Sequence, residues 1–265
     1  MPAAALFGSA HKLLVGVVHL LPTPGAPRAA PIAALLARAR ADARALRAGG
    51  CHALIVENFG DAPFHKERVP AETIAALALA LAEVRAVAGA LPVGVNVLRN
   101  DARAALGLCA AAGAAFLRVN VHTGAMLTDQ GIVEGRAADT LRERARLCPR
   151  AAILADVHVK HAAVLGAETL EDAAADAWER GGADALIVSG RGTGRAPQVE
   201  RVARVRAAVP RARILVGSGL DAANAAALLE HADGAIVGSA FERGGKAGAP
   251  VDARRVAALA RLFRR

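Results

Sequence analysis

ILADVHVKHA, residues 153–162, decides the fold because it reads as a core strand that turns polar at its end. Ile153, Leu154 and Ala155 have the character of a buried strand. Asp156, His158 and Lys160 follow at a strand's period of two, which predicts one shared face with His161 just beyond. A carboxylate, an imidazole and an ammonium are costly inside a core but useful in a site. Of 33 basic residues only Lys12, Lys66, Lys160 and Lys246 are lysine. A chain that otherwise writes positive charge as arginine has kept a compact, titratable ammonium at Lys160. A solvated strand end is the plainer alternative.

Working outward, short β-branched runs alternate with Ala/Leu/Arg segments eight times. Strands are expected at 14–19, 53–57, 93–97, 115–121, 151–157, 185–189, 213–216 and 234–237. Helices are expected near 31–48, 71–88, 101–112, 136–147, 168–180, 197–208, 221–231 and 252–263. Gly49–Gly50 and Gly181–Gly182 sit where helix C-caps belong, and Asp101 and Asp221 where N-caps belong. Eight strand–helix units over 265 residues predict an α/β fold in one domain, 1–265: a closed (β/α)8 TIM barrel. A doubly wound open sheet is the runner-up.

A barrel of this kind carries its chemistry where strands end. The first strand ends in His19, the second in Glu57 and Asn58, and the third offers Asn96 and Arg99. The fourth carries Arg118 and Asn120, and the fifth is the opening stretch. Ser189 and Gly190 end the sixth, Gly217, Ser218 and Gly219 the seventh, and Gly238 and Ser239 the eighth. Strand beginnings at Leu14, Ala53, Ala151, Ala185 and Ala235 are bland. This one-sided polarity predicts a single concave site at the C-terminal mouth.

The glycine–serine pairs on the last two strands suit a phosphate, because glycine lets backbone N–H groups approach the anion; Ser189 and Gly190 extend that pocket. Tight turns that need glycine for conformation alone are the alternative. Glu57 follows Leu-Ile-Val, so burial should raise its pKa and suit it to acid–base work, unless it is a structural partner of Arg118 or Arg99. Asp156 is the other candidate base, and His19 and His158 complete the catalytic candidates. Asn58, Asn96, Arg99, Arg118, Asn120 and His161 suit substrate hydroxyls or a carboxylate. Lys160 is read as an imine former or an enolate stabiliser, with simple anion binding equally open. Asp61, in Gly-Asp-Ala-Pro, reads as a turn former. His19, Glu57, Asp156, His158 and His161 supply divalent-metal donors but lack HxH or HExxH spacing; metal is a minor alternative and no cofactor is required.

A 54% apolar composition supports a large core, and the absence of tyrosine removes tyrosine chemistry. The charge of +9 invites a nucleic-acid reading. Arginines are scattered along helices, however (Arg38, Arg40, Arg44 and Arg47; Arg201, Arg204 and Arg206), without interleaved aromatics. A small anionic ligand is the expected partner and nucleic acid is not. Peripheral attraction to an anionic membrane and homo-oligomer formation stay open. Cys51, Cys109 and Cys148 form no disulfide or zinc pattern. With no leader pattern at the N-terminus and no apolar run of transmembrane length, a cytoplasmic location is expected.

Several blocks together resemble the BtpA family, which includes the SgcQ-type proteins. They are GVVHLLPTPGAP (16–27), IVENFGDAPF (55–64), LPVGVNVLRNDARAAL (91–106), FLRVNV (116–121), TDQGIVEG (128–135), ILADVHVKHA, VSGRGTG (188–194) and VGSGLDAAN (216–224). The resemblance implies a barrel of the ribulose-phosphate-binding kind. It also implies a link to photosystem I biogenesis in cyanobacteria, while other members resemble products of sugar-metabolism operons. Two functions follow as expectations. One is an isomerase- or lyase-type enzyme acting on a small phosphorylated, sugar-like metabolite by proton abstraction next to a carbonyl. The other is a non-catalytic photosystem I biogenesis factor binding a pigment, lipid or protein. Two departures stand out: Val164 where the family pattern would have proline, and Glu242 where it would have lysine, which removes a phosphate partner.

Overall fold

The computed structural model describes residues 6–8 and 12–263; part of the N-terminal stretch read for a leader lies outside them. The first strands are β1 Leu13–His19, β2 Ala53–Glu57, β3 Val93–Asn96, β4 Phe116–Val119, β5 Ala125–Thr128 and β6 Gly131–Glu134. They are followed by β7 Ala152–Val157, β8 Ala162–Val164, β9 Ala185–Val188, β10 Ile214–Val216 and β11 Gly234–Val237. Eight of these close into a parallel barrel in the order β1-β11-β10-β9-β7-β4-β3-β2, and not into a doubly wound open sheet.

The helices are α1 Ile32–Gly49, α2 Ala71–Ala88, α3 Ala102–Ala112, α4 Ala137–Leu147, α5 Leu170–Ala175, α6 Val199–Ala208, α7 Ala225–His231 and α8 Ala253–Ala260. Gly50 ends α1 with φ +97, a left-handed cap that costs glycine little. Asp101 caps α3 by accepting the Ala104 N–H. Asp221 departs from its expected role. Its carboxylate takes the Ala223 and Asn224 amides in a turn, and α7 starts only at Ala225.

Strand alternation divides the core into two layers. Leu14, Val18, Leu54, Val56, Ile153 and Ala155 belong to the cluster shared with the helices. Val15, Val17, Ile55, Phe116, Leu154 and Ile187 form the lumen cluster, which Leu6 and Phe7 join. The Phe116 ring claims the space beside Gly94, where a Cβ would stand 2.3 Å from it. The lumen is therefore packed below and polar only above.

One element was not expected. The loop TGAMLTDQGIVEG holds β5 and β6, which join β8 in an antiparallel sheet of order β6-β5-β8 beside the mouth. Met126 and Val133 turn inward onto Val121 and Val159. This small core fastens the segment that follows β7.

Candidate active site

His19, Glu57, Asn96 and Arg118 are successive register partners across β1, β2, β3 and β4. Each is buried, above the apolar lumen layer. The ring they start is completed by two groups of residues that behave differently.

In the first group Asp156 is fully engaged. Arg118 donates from Nε and Nη2 to both oxygens of Asp156, each at 2.8 Å. Asn120 adds a third bond at 2.8 Å, and the Ser189 hydroxyl a longer one at 3.4 Å. Burial would lower the pKa of Arg118, but the charge and hydrogen bonds of Asp156, with help from Glu57, raise it. With these donors already on it, Asp156 acts in the structure as the holder of Arg118 and Asn120.

Other candidates are committed to the scaffold. Asn58 accepts the Leu98 N–H at 2.7 Å and donates to Asp61 at 3.0 Å, so it clamps loops and has no face free for substrate. Asp61, the expected turn former, also takes the Thr23 N–H and hydroxyl. Ser218 accepts the Gly190 N–H and donates to the Arg195 carbonyl, and the Gly217 N–H bonds Val188. The polar atoms of Ser189, Gly190, Gly217 and Ser218 expected at a phosphate are thus used internally. Gly217, Ser218, Gly219, Gly238 and Ser239 nonetheless line a small recess of about 30 Å³.

The second group is less filled. Glu57 accepts a side-chain bond from Asn96 at 3.0 Å. Burial acts to raise its pKa, as the sequence suggested, but His19 when it carries a proton, the positive charge of Lys160 and Arg118, and the Asn96 bond outweigh it and lower the pKa. Lys160 is half-buried. Desolvation lowers its pKa first and Arg118 adds to this; Glu57 and Asp156 oppose, and the direction remains downward. His19 donates Nδ1–H to Glu242 at 2.7 Å and stacks on Phe59 with centroids 4.3 Å apart. Glu242, read only as a missing phosphate partner, is buried and orients this histidine. That role was invisible in sequence, because 223 positions separate the two residues.

Backbone geometry sets Lys160 apart from its neighbours. The strand stops at Val157, and His158 and His161 both adopt left-handed φ, +51 and +58. Such conformations are strained for residues other than glycine and persist where surroundings fix them. Here Val159 is buried in the small core, β8 pairs with β5, Arg99 donates to the Lys160 carbonyl at 2.7 Å, and His161 N–H bonds Arg191. The expected shared face therefore fails at His158. Its ring lies 3.4 Å from Glu168, away from the cavity-lining residues, while His161 stands at the rim bonded to Thr193.

Glu57 and Lys160 line both the recess and a larger cavity of about 630 Å³. Another cavity, of about 320 Å³, lies between α3 and α4, where Arg103 pairs with Glu143 and Arg136 with Glu67. Among the described residues no three His, Cys, Asp or Glu side chains are grouped to hold a metal, so the minor metal alternative gains no geometry. No described helix is long and apolar enough to cross a membrane.

The model of the BtpA family matches residues 10–265. The chain belongs to the BtpA family. A relative from Synechocystis, photosystem I biogenesis protein BtpA, is 45% identical over 94% of this chain and 87% of its own. An uncharacterised protein of Archaeoglobus fulgidus is 42% identical over 95% and 98%. Among solved structures, phosphoribosyl anthranilate isomerase from Thermus thermophilus superposes with a TM-score of 0.57 at 15% identity, covering 95% of this chain and 98% of its own. That likeness places BtpA-family members among the TIM barrels; at such identity it speaks for the fold alone.

Proposed function

We propose that this BtpA-family barrel is an enzyme acting on a small phosphorylated carbonyl metabolite, by an isomerase- or lyase-type proton abstraction. The observation that carries this reading is the junction of two cavities at Lys160 and Glu57. Phosphate sits against Gly219, Gly238 and Ser239, which brings the carbonyl carbon of the ligand to Lys160. A lysine with lowered pKa has more of its amine free to attack that carbon and, with the carbonyl oxygen leaving as water, to form an imine, or as the ammonium it stabilises the enolate oxygen as a hydrogen-bond donor. His19, whose Nδ1–H is held by Glu242, presents Nε2 to the recess and takes the proton next to the carbonyl. Glu57, kept ionised, supports the positive charge that develops on either group. Asp156 holds Arg118 in place.

The test is turnover of phosphorylated sugars and related ketones by Lys160→Met. Lost turnover with retained ligand binding is expected, and full activity would overturn the role of Lys160. A non-catalytic photosystem I biogenesis role draws support from the name of the Synechocystis relative. A scaffold has no evident use for a desolvated lysine beside a carboxylate, and the archaeal relative is matched over the same extent of chain. Sugar transporters and kinases encoded nearby would favour the enzyme, and photosystem or tetrapyrrole genes the scaffold.

A further inference from the structure

One wall of the larger cavity is apolar, while Arg28, Arg99, Asp129, His161 and Thr193 also line the cavity. Leu20, Leu21 and Pro22 line it from the loop after β1, Phe59 and Phe64 from the loop after β2, and Leu98 from the segment after β3. Sugar hydroxyls placed against these apolar residues would lose water without gaining a partner. The walls are also fixed in advance. Thr23, Asn58, Asp61 and Leu98, one network across the same three segments, are joined by hydrogen bonds of 2.7 to 3.3 Å. At Gly60 the loops approach so closely that a Cβ would stand 2.4 Å from the Pro22 nitrogen. Such a preformed chamber needs little ordering when a ligand enters, so apolar contact is converted into affinity with small loss. The recess beyond Glu57 and Lys160 is of the opposite kind, small at about 30 Å³ and bordered by Gly194, Gly219, Gly238 and Ser239, and Glu57, Lys160 and Thr193 line both it and the chamber.

We propose that the ligand has two unlike parts, a phosphate head for the recess and an aromatic or branched apolar body for the chamber. This rests on the proposed function for the phosphate and narrows its substrate class. The metabolite is an aryl- or alkyl-substituted phosphorylated carbonyl compound, in place of the simple sugar phosphate that the sequence suggested.

Thermal-shift titrations of the full chain with inorganic phosphate, glycerol phosphate and phenyl phosphate test it. Phenyl phosphate should bind about tenfold or more tightly than glycerol phosphate, the increment expected when a ring leaves water. Phe64→Ser and Leu21→Ser should remove that preference and leave the response to inorganic phosphate unchanged, with circular dichroism checking that both variants fold. Equal affinity of the wild-type protein for phenyl and glycerol phosphate would overturn the two-part ligand and leave the phosphate reading standing. No response to any of the three would overturn the phosphate reading and this inference with it. The wild-type comparison needs no variant, so a misfolded substitution does not remove the test.

Discussion

On the side of the mouth built by β4, β7 and β9, Asp156 accepts four hydrogen bonds from Arg118, Asn120 and Ser189. On the side built by β1 and β2, Glu57 accepts one side-chain hydrogen bond, from Asn96, among the described residues. Both carboxylates are buried and both lie near Arg118 and Lys160. The difference lies in how many neighbouring donors are already committed. A buried charge with a complete shell holds the barrel together, whereas one facing a cavity with part of its shell unfilled can exchange a ligand or a proton. Residue type alone does not separate these roles.

Removing the centre of the saturated side should have the largest effect. Arg118→Met leaves Asp156 buried without its bidentate partner, and stability should fall by about 3–5 kcal/mol in urea unfolding. A loss under about 1 kcal/mol would mean that Asp156 is poorly held, and the contrast would collapse. Asn58→Ala should cost about 1–3 kcal/mol in the same assay, since the Leu98 N–H loses its acceptor.

The open side should respond in function more than in stability. Lys160→Met removes a desolvated ammonium along with its attraction to Glu57, so unfolding free energy should change by less than about 1 kcal/mol while turnover is lost. Glu57 adds a pH signature. Its folded pKa is below the ordinary 4.5, so on acidification the unfolded chain takes up the proton first. Stability from this group is full above 4.5 and is lost as pH falls through the folded value. Glu57→Gln should therefore flatten the acid limb of urea midpoints measured between roughly pH 5 and pH 3. The smallest effect is expected at His158, outside the site. His158→Asn, which tolerates the left-handed backbone, should stay within about 0.5 kcal/mol and leave ligand binding unchanged.

The barrel was legible because alternation marks inward positions for as long as a strand lasts. His19, Glu57, Asn96, Arg118 and Asp156 all follow from it. The same rule misplaced His158, because the strand ends one residue earlier and a positive φ reverses the side chain. The β5–β6–β8 sheet was missed because its strands are three or four residues long and read as a glycine-containing loop. Partners distant in the chain were also hidden. Glu242 beside His19 and the Gly190 N–H on Ser218 appear only after closure of the barrel. For Glu57, burial was readable from Leu-Ile-Val, but the charges that reverse its effect arrive from β1, β4 and the segment after β7.

In the proposed mechanism, desolvation primes Lys160 at the junction of the two cavities. With four lysines in the chain, reductive methylation with ¹³C-formaldehyde gives a small set of dimethyl-lysine NMR signals, and Lys160→Met assigns the relevant one. On titration with pH, the Lys160 signal should change at lower pH than that of a dimethylated free lysine reference, and it should shift when phosphate is added. A Lys160 signal that titrates together with the free lysine reference and ignores phosphate would contradict this mechanism.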